Sequence, residues 1–294
     1  MSIPPVSFQR LLAAALMSAA LAGCGREASS RSTKEIAAAA PDSVEVKGKV
    51  VSAAKTAPEG INRLRQPFRD AVLRGEPPAS DELLLDVTCA GKNVAKLYEA
   101  VAGKDDQGGL WDKVVLVDPQ GKVLKYRATL QTKLGEIDID LYPEAAPNHV
   151  RNFIALARAG YYDGLPIYRS VRDSMNDMVL NAFIEAGCPK GTGEIGYGSI
   201  GYWLKPEIEG NKLTHEEGAV GACRREELET ASCRFYITAE KMPQMDGEYT
   251  VFGKVTRGLD IVRRINAAAV EDKTSYRLKE PVALEKVTIQ AVGE

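Results

Sequence analysis

The stretch GEIDIDLYPEAAPNHVRNFIALARAG, residues 135–160, changes its hydrophobic period within a few positions. Ile137, Ile139 and Leu141 alternate with Asp138 and Asp140, the period of a strand with one buried face. From Pro147 onward, Val150, Phe153, Ile154 and Ala157 recur at three- and four-residue steps, the period of an amphipathic helix. Pro147 suits a first helical turn, where its missing N–H is not needed, and Gly160 supplies the left-handed stop. A half-buried strand feeding a helix requires an antiparallel sheet or barrel with one apolar face. Strand patterns return at CRFYIT (233–238), YTVFGKV (249–255) and VALEKVTIQAV (282–292), with one short helical pattern at GLDIVRRINA (258–267). Many strands and few helices predict a mainly β fold, a closed antiparallel barrel with helices at its ends.

Residues 44–125 carry a different mixture. VEVKGKVV alternates as a strand, GINRLRQPFRDAVLRG reads as a helix interrupted near Pro67, and DELLLDVTC reads as a further strand. KNVAKLYEAVAG places Val94, Leu97, Tyr98 and Val101 on one helical face, and DKVVLVDPQGKVLKY reads as a hairpin turning at Asp118–Gly121. These patterns predict a small α/β domain over 44–125 ahead of a second domain over 128–294. Nothing in the first carries a chemistry, so a spacer or partner-binding role is the expectation.

At the front, Arg10 precedes an apolar run, Leu11–Ala22, that ends near Cys24. The run is too short and too Ala-rich for a membrane-spanning helix and reads as the core of a secretory signal. Its ending, Leu21-Ala22-Gly23-Cys24, resembles the bacterial lipobox, in which the signal is cut before a cysteine that is then acylated. That resemblance implies a signal peptide over 1–23, lipidation of Cys24, and export with a lipid anchor in a membrane. The alternative is a plain signal peptide with a chance cysteine. Gly25 stands where an Asp would retain such a protein at the inner membrane, so the outer membrane facing the periplasm is expected in a Gram-negative host. Residues 24–43 are polar and Ala-rich with no periodic apolar face, and read as a flexible tether.

Several function classes are disfavoured. The formal net charge is −2 and no long basic run occurs, which argues against a nucleic-acid partner. The two histidines, His149 and His215, lie far apart and no CxxC pair exists, so no metal site is expected. No Ser/His/Asp or Cys/His arrangement supports a hydrolase. An exported chain retaining Cys89, Cys188, Cys223 and Cys233 permits disulfides in three connectivities.

From about Leu130 to Val292 the chain resembles the cyclophilin family of peptidyl-prolyl cis-trans isomerases. The resemblance rests on LGEIDIDLYPEAAPNHVRNFIALARAGYYDG, IYR, EAGCPKGTG, LTHEEGAVGACR, FYIT and MDGEYTVFGKVTRGLDIV, in this order and at near-family spacing. It implies Arg169, in Ile167-Tyr168-Arg169, as the catalytic residue. The chemistry suits a guanidinium: an X-Pro bond resists rotation behind a barrier of roughly 18–20 kcal/mol because of amide resonance. Twisting the bond leaves a lone pair on the proline nitrogen, and a fixed donor there stabilises the twisted state over either planar state. No cofactor or metal is called for, and the partners implied are proline-containing polypeptides.

The same resemblance implies substrate-binding roles for Phe183, Glu185, Arg224, Arg234, Tyr236, Met245 and Tyr249, several of which depart from the family pattern. Ala182 and Glu185 replace a Phe and a Gln, Arg234 replaces a second Gln, Tyr236 replaces a Phe, Gln244 replaces an aromatic residue, and Tyr249 replaces a His. The segment SVRDSMNDMVLN after Arg169 exceeds the family spacing by about eight residues and is placed to reshape the groove. Since the two family Gln side chains pair with each other, Glu185 and Arg234 are expected to form a charge-assisted pair beside Arg169. By the same analogy Cys223 and Cys233 sit near facing strand ends, which allows a disulfide between them. Two function classes remain: an isomerase of reduced activity, and a non-catalytic binding or scaffold module.

Overall fold

The computed structural model describes residues 62–79, 81–104, 107–175 and 178–292, without the Met178 side chain. The apolar run, Cys24, the tether and the strand expected at 44–51 lie outside the described residues.

Thirteen strands are described: β1 (Val72–Arg74), β2 (Gly103–Lys104), β3 (Gln107–Gly108), β4 (Lys125–Thr132), β5 (Gly135–Leu141), β6 (Pro166–Met175), β7 (Met178–Ala186), β8 (Tyr202–Leu204), β9 (Ala219–Ala222), β10 (Phe235–Thr238), β11 (Val251–Arg257), β12 (Arg277–Ala283) and β13 (Lys286–Val292). Nine of them form one antiparallel sheet in the order β12-β6-β7-β10-β9-β11-β5-β4-β13. Its two ends, β12 and β13, are consecutive in the chain. Leu284 N–H donates to Leu165 O at 2.8 Å, and Glu285 N–H donates to Gln131 O at 2.8 Å. The link between the end strands therefore bonds chain near both margins of the sheet, which is curled into a half-barrel rather than closed by a β12–β13 ladder. The single strand expected at 282–292 is divided: Val282 and Ala283 end β12, opposite Ile167 and Pro166, while Lys286–Val292 form β13 along β4, because the chain turns at Leu284 and Glu285 from one margin of the sheet to the other.

Among the described residues four α-helices accompany the strands: α1 (Phe68–Ala71), α2 (Val94–Ala102), α3 (Pro147–Arg158) and α4 (Leu259–Asn266). Helix α3 starts at Pro147 and is followed by Gly160 at φ +69°, as its sequence requires. It is buried on more than the expected stripe, since His149, Arg151 and Asn152 are inaccessible as well. His149 and Asn152 are taken up by barrel-side partners, His149 by Glu207 and Asn152 by Ser232 O and the Tyr202 hydroxyl, whereas Arg151 is covered by residues 62–125. Leu64 O accepts from Arg151 Nη2, whose guanidinium lies 5.7 Å from the Trp111 ring centroid. Glu207 caps the positive end of α3, accepting from Asn148 N and His149 N at 3.0 Å each, and also pairs with Arg63 at 2.9 Å.

Residues 62–125 thus do not close a core of their own, unlike the separate α/β domain their patterns suggest. Leu64, Phe68, Val94, Trp111 and Leu116 belong to the same buried cluster as the barrel residues. β1 pairs with β8, and Phe68 meets Tyr202 edge-on at 5.0 Å. Apolar periodicity marks which face is buried but not against what, so a wrapping segment and an independent domain read alike. Helix α2 forms as expected. DELLLDVTC makes only an isolated bridge, Val87 with Asn93, and the Asp118–Gly121 turn closes a single bridge, Val117 with Val123. The insertion after Arg169 becomes the outer part of the β6–β7 hairpin, paired out to Met175 opposite Met178 with a break in register between Asp173 and Ser174.

Candidate active site

Strand register assembles the site. Arg169 on β6 lies opposite Glu185 on β7, Glu185 opposite Tyr236 on β10, and Tyr236 opposite Gly221 on β9. Directly paired residues point to the same face, so these four form a row across the outside of the barrel. Their neighbours Ile184, Phe235, Ile237 and Ala222 alternate inward to the core. Two residues from the row on the same face stand Phe183 and Arg234.

Glu185, 6% exposed, is the centre of the charge network. Arg169 Nη1 donates to both of its carboxylate oxygens at 3.2 Å, Arg234 Nη2 donates to Oε2 at 3.2 Å, and the Tyr168 hydroxyl donates to Oε2 at 2.9 Å. Arg234 Nε donates in turn to the Tyr168 hydroxyl at 3.0 Å. The expected acid–base pair is therefore present, with Arg169 bound to the same carboxylate. Burial opposes the charge on Glu185, but Arg169 and Arg234 outweigh it and hold the carboxyl below its ordinary value. Glu185 in turn raises Arg169 above the ordinary guanidinium range.

Arg169 is fixed from two further sides, Nε donating to Ser275 O at 3.1 Å and Nη2 to Gly193 O at 3.4 Å. With the two bonds to Glu185 these make four donations, which leave at least one of the five guanidinium hydrogens unused. The side chain keeps 18% of its surface exposed. It is a held cation with donor capacity to spare.

The aromatic part of the site runs away from Glu185. Phe183 and Tyr236 meet at 5.9 Å between ring centroids, Tyr236 and Tyr249 at 6.1 Å, and the Arg224 guanidinium lies 4.5 Å from the Tyr249 ring. Arg224 folds back onto carbonyls of Glu248, Arg225 and Glu226. Met245 is buried in the single turn Pro243–Met245, and Gln244 donates to Leu180 O, tying that turn to the extended hairpin. Phe183, Tyr236, Met245 and Tyr249 expose only 1–7% of their surface, so the cluster presents ring edges packed on one another.

The hydroxyl that Tyr236 adds to this wall has a partner that sequence reasoning missed. It meets His215 Nε2 at 2.7 Å, while His215 Nδ1 meets Asp246 Oδ1 at 2.7 Å. Burial pushes the His215 pKa down despite Asp246, so the ring is neutral, donating from Nδ1 and accepting the Tyr236 proton at Nε2. Gly221 is required beside it: a Cβ there would stand 2.2 Å from the Tyr236 hydroxyl oxygen. The available signal was a tyrosine in a buried apolar position, which demands a hydrogen-bond partner.

All four described cysteines are free, so the Cys223–Cys233 disulfide is not formed. Cys223 N–H donates to Arg234 O at 3.1 Å and Ala222 lies opposite Phe235. Cys223 therefore faces Arg234 across the ladder, and Cys233, one residue away, points to the other side. Burial drives the Cys233 thiol up to about 12.

With this geometry in view, the family model "Cyclophilin type peptidyl-prolyl cis-trans isomerase/CLD" matches residues 127–292. Peptidyl-prolyl cis-trans isomerase B of Bacillus subtilis is 42% identical over 132 residues, covering 45% of this chain and 83% of that protein. A peptidyl-prolyl cis-trans isomerase of Helicobacter pylori is 34% identical over 152 residues, covering 51% of this chain and 85% of that one. A solved cyclophilin-type isomerase from Cryptosporidium parvum superposes with a TM-score of 0.50 at 22% identity, over 58% of this chain and 99% of that chain, a likeness of fold.

The lowered pKa of Glu185 gives a pH signature. A carboxylate held below its ordinary value of 4.5 contributes stability that is fully present above that pH and is lost as pH falls through the folded-state value. The stability gap between the wild type and Glu185→Gln should stay constant above about pH 4.5 and close progressively below it. Urea titrations at a series of pH values measure this, and a gap independent of pH would mean Glu185 is not held charged.

Proposed function

The chain belongs to the cyclophilin-type peptidyl-prolyl cis-trans isomerase family, and we propose that its Arg169 site isomerises X-Pro bonds in proteins exported across the cytoplasmic membrane. The observation that carries this reading is the state of Arg169, a guanidinium fixed from three directions with donors left over. Such a group needs no reorganisation when a lone pair develops on the proline nitrogen, which is the condition for preferential binding of the twisted state. The ring edges of Phe183, Tyr236 and Tyr249 supply the apolar surface on which a pyrrolidine ring would rest. No proton transfer is required, and the neutral His215 serves to hold Tyr236.

Turnover is proposed to be lower than in family members with the Gln pair. Glu185 attracts Arg169 with a full charge, and stabilising the ground-state position of the guanidinium adds to the barrier for engaging substrate. That same attraction, together with the closed aromatic cluster, favours the second reading, a binding module that grips proline-containing segments without turning them over. The two readings diverge at Arg169→Ala. Isomerase function predicts a loss of about a hundredfold in kcat/KM, the scale of removing one preorganised donor. Protease-free exchange measurements on a short X-Pro peptide test this, and equal rates for wild type and variant would leave only the binding reading.

Location is proposed from residues 1–43. Leu21-Ala22-Gly23-Cys24 supports cleavage before Cys24 and its acylation, with residues 24–43 as tether and the outer membrane as destination in a Gram-negative host. On detergent phase separation of the expressed full chain, the wild type should enter the detergent-rich phase and Cys24→Ser should not. Identical partitioning would remove the lipid anchor.

A further inference from the structure

Asp81, Glu82 and Leu83 lie ahead of the matched domain, which starts at residue 127, yet they reach the loops that carry its arginines. Leu83 N–H donates to Gly196 O at 2.6 Å. Glu82 is buried, with 2% of its side chain exposed. Its Oε1 accepts from Gly198 N at 2.9 Å and its Oε2 stands 3.5 Å from Arg225 Nη1. Asp81 closes the outer side, accepting from Arg225 Nη2 at 2.8 Å.

Both contacts of Glu82 lead into the site. Gly198 O accepts from Cys233 at two atoms, Sγ at 3.0 Å and N at 3.4 Å, and Cys233 immediately precedes Arg234. A Cβ added to Gly198 would lie 3.3 Å from Glu82 Oε1 and 3.7 Å from Arg234 Cδ, so the carboxylate and the arginine stem meet on one side of this residue. On the other arm, Arg225 O accepts from Arg224 Nη1 at 2.8 Å. A single buried carboxylate thus links the loop at 196–198 to the loop at 224–234. Breaking one side of a buried charged contact leaves the other without compensation, so neither loop is indifferent to its loss.

We propose that Glu82 is a positioning residue for the Arg169 site, acting through the Gly198 peptide on Arg234 and thereby on Glu185. The wrapping segment then does more than cover helix α3: it sets where the second arginine of the charge network stands. The effect on turnover rests on the isomerase reading, whereas the effect on the Gly198–Cys233 contact does not.

Exchange spectroscopy on a short Ala-Pro peptide gives kcat and KM separately. Glu82→Ala should lower kcat about tenfold with KM changed less than twofold, because the network is felt most in the twisted state. Glu82→Gln, whose amide oxygen still accepts from Gly198 N–H, should stay within twofold of wild type. In an Arg234→Gln background, Glu82→Ala should add no further loss, which a general loss of stability would not reproduce. Wild-type kcat in Glu82→Ala, or an undiminished loss in the Arg234→Gln background, overturns the proposal. Alkylation of Cys233 in the native full chain, located by peptide mass mapping, provides a readout without turnover. It should speed up at least tenfold in Glu82→Ala and not in Glu82→Gln. Should Arg169→Ala match the wild type, the isomerase reading falls and the alkylation decides the clamp alone, with equal rates in all three proteins overturning it.

Discussion

A carboxylate shut away from water between two guanidinium groups is the constraint on which the site depends. Glu185 cannot remain charged at 6% exposure without Arg169 and Arg234, and neither arginine can lose it without stranding a buried cation. Removing one member of such a cluster typically costs about 3–5 kcal/mol, much more than an exposed pair would. The strands enforce this arrangement, because Arg169 faces Glu185 across the β6–β7 ladder and Tyr236 faces Glu185 across the next. The hydroxyl of Tyr168 completes the shell by donating to Glu185 while accepting from Arg234. The bonds that position Arg169 are therefore the same bonds that stabilise this part of the barrel.

The rest of the molecule serves to hold that row in place. Inward residues of the same strands fill the barrel core, and residues 62–125 add Phe68, Trp111 and Leu116 to it. The wrap is fastened by buried and half-buried polar contacts: Arg151 to the Leu64 carbonyl, Glu207 to Arg63 and the start of α3, and Lys92 to the carbonyls of Gly160 and Asp163 at its end. Each joins a residue of the wrap to the barrel's helix or loops. The matched domain is here built into a larger single core.

Much of this was legible in the sequence, for definite reasons. The β5 strand and helix α3 announce themselves because their periods are strict and Pro147 and Gly160 bound the helix. Glu185 and Arg234 could be paired in advance because they replace two mutually bonded positions by opposite charges. The destination of the wrap could not be read, since an apolar stripe does not name its partner. Glu82 carried no signal at all: it is one acid in DELLLD, and its partner Gly198 lies 116 residues away. The Cys223–Cys233 expectation failed by one residue of register, which in a ladder moves a side chain to the other face.

The most direct test of the account is a double-mutant cycle on the buried pair, read as isomerisation rate. Arg234→Gln leaves Glu185 to Arg169 alone and should lower turnover, and Glu185→Gln leaves two cations facing each other and should lower it as well. Restoring the amide pair in Glu185→Gln with Arg234→Gln should recover or exceed the wild-type rate, a coupling that independent sites cannot give. Losses that simply multiply in the double variant would contradict the account, because Arg169 would then owe its position to something other than this carboxylate.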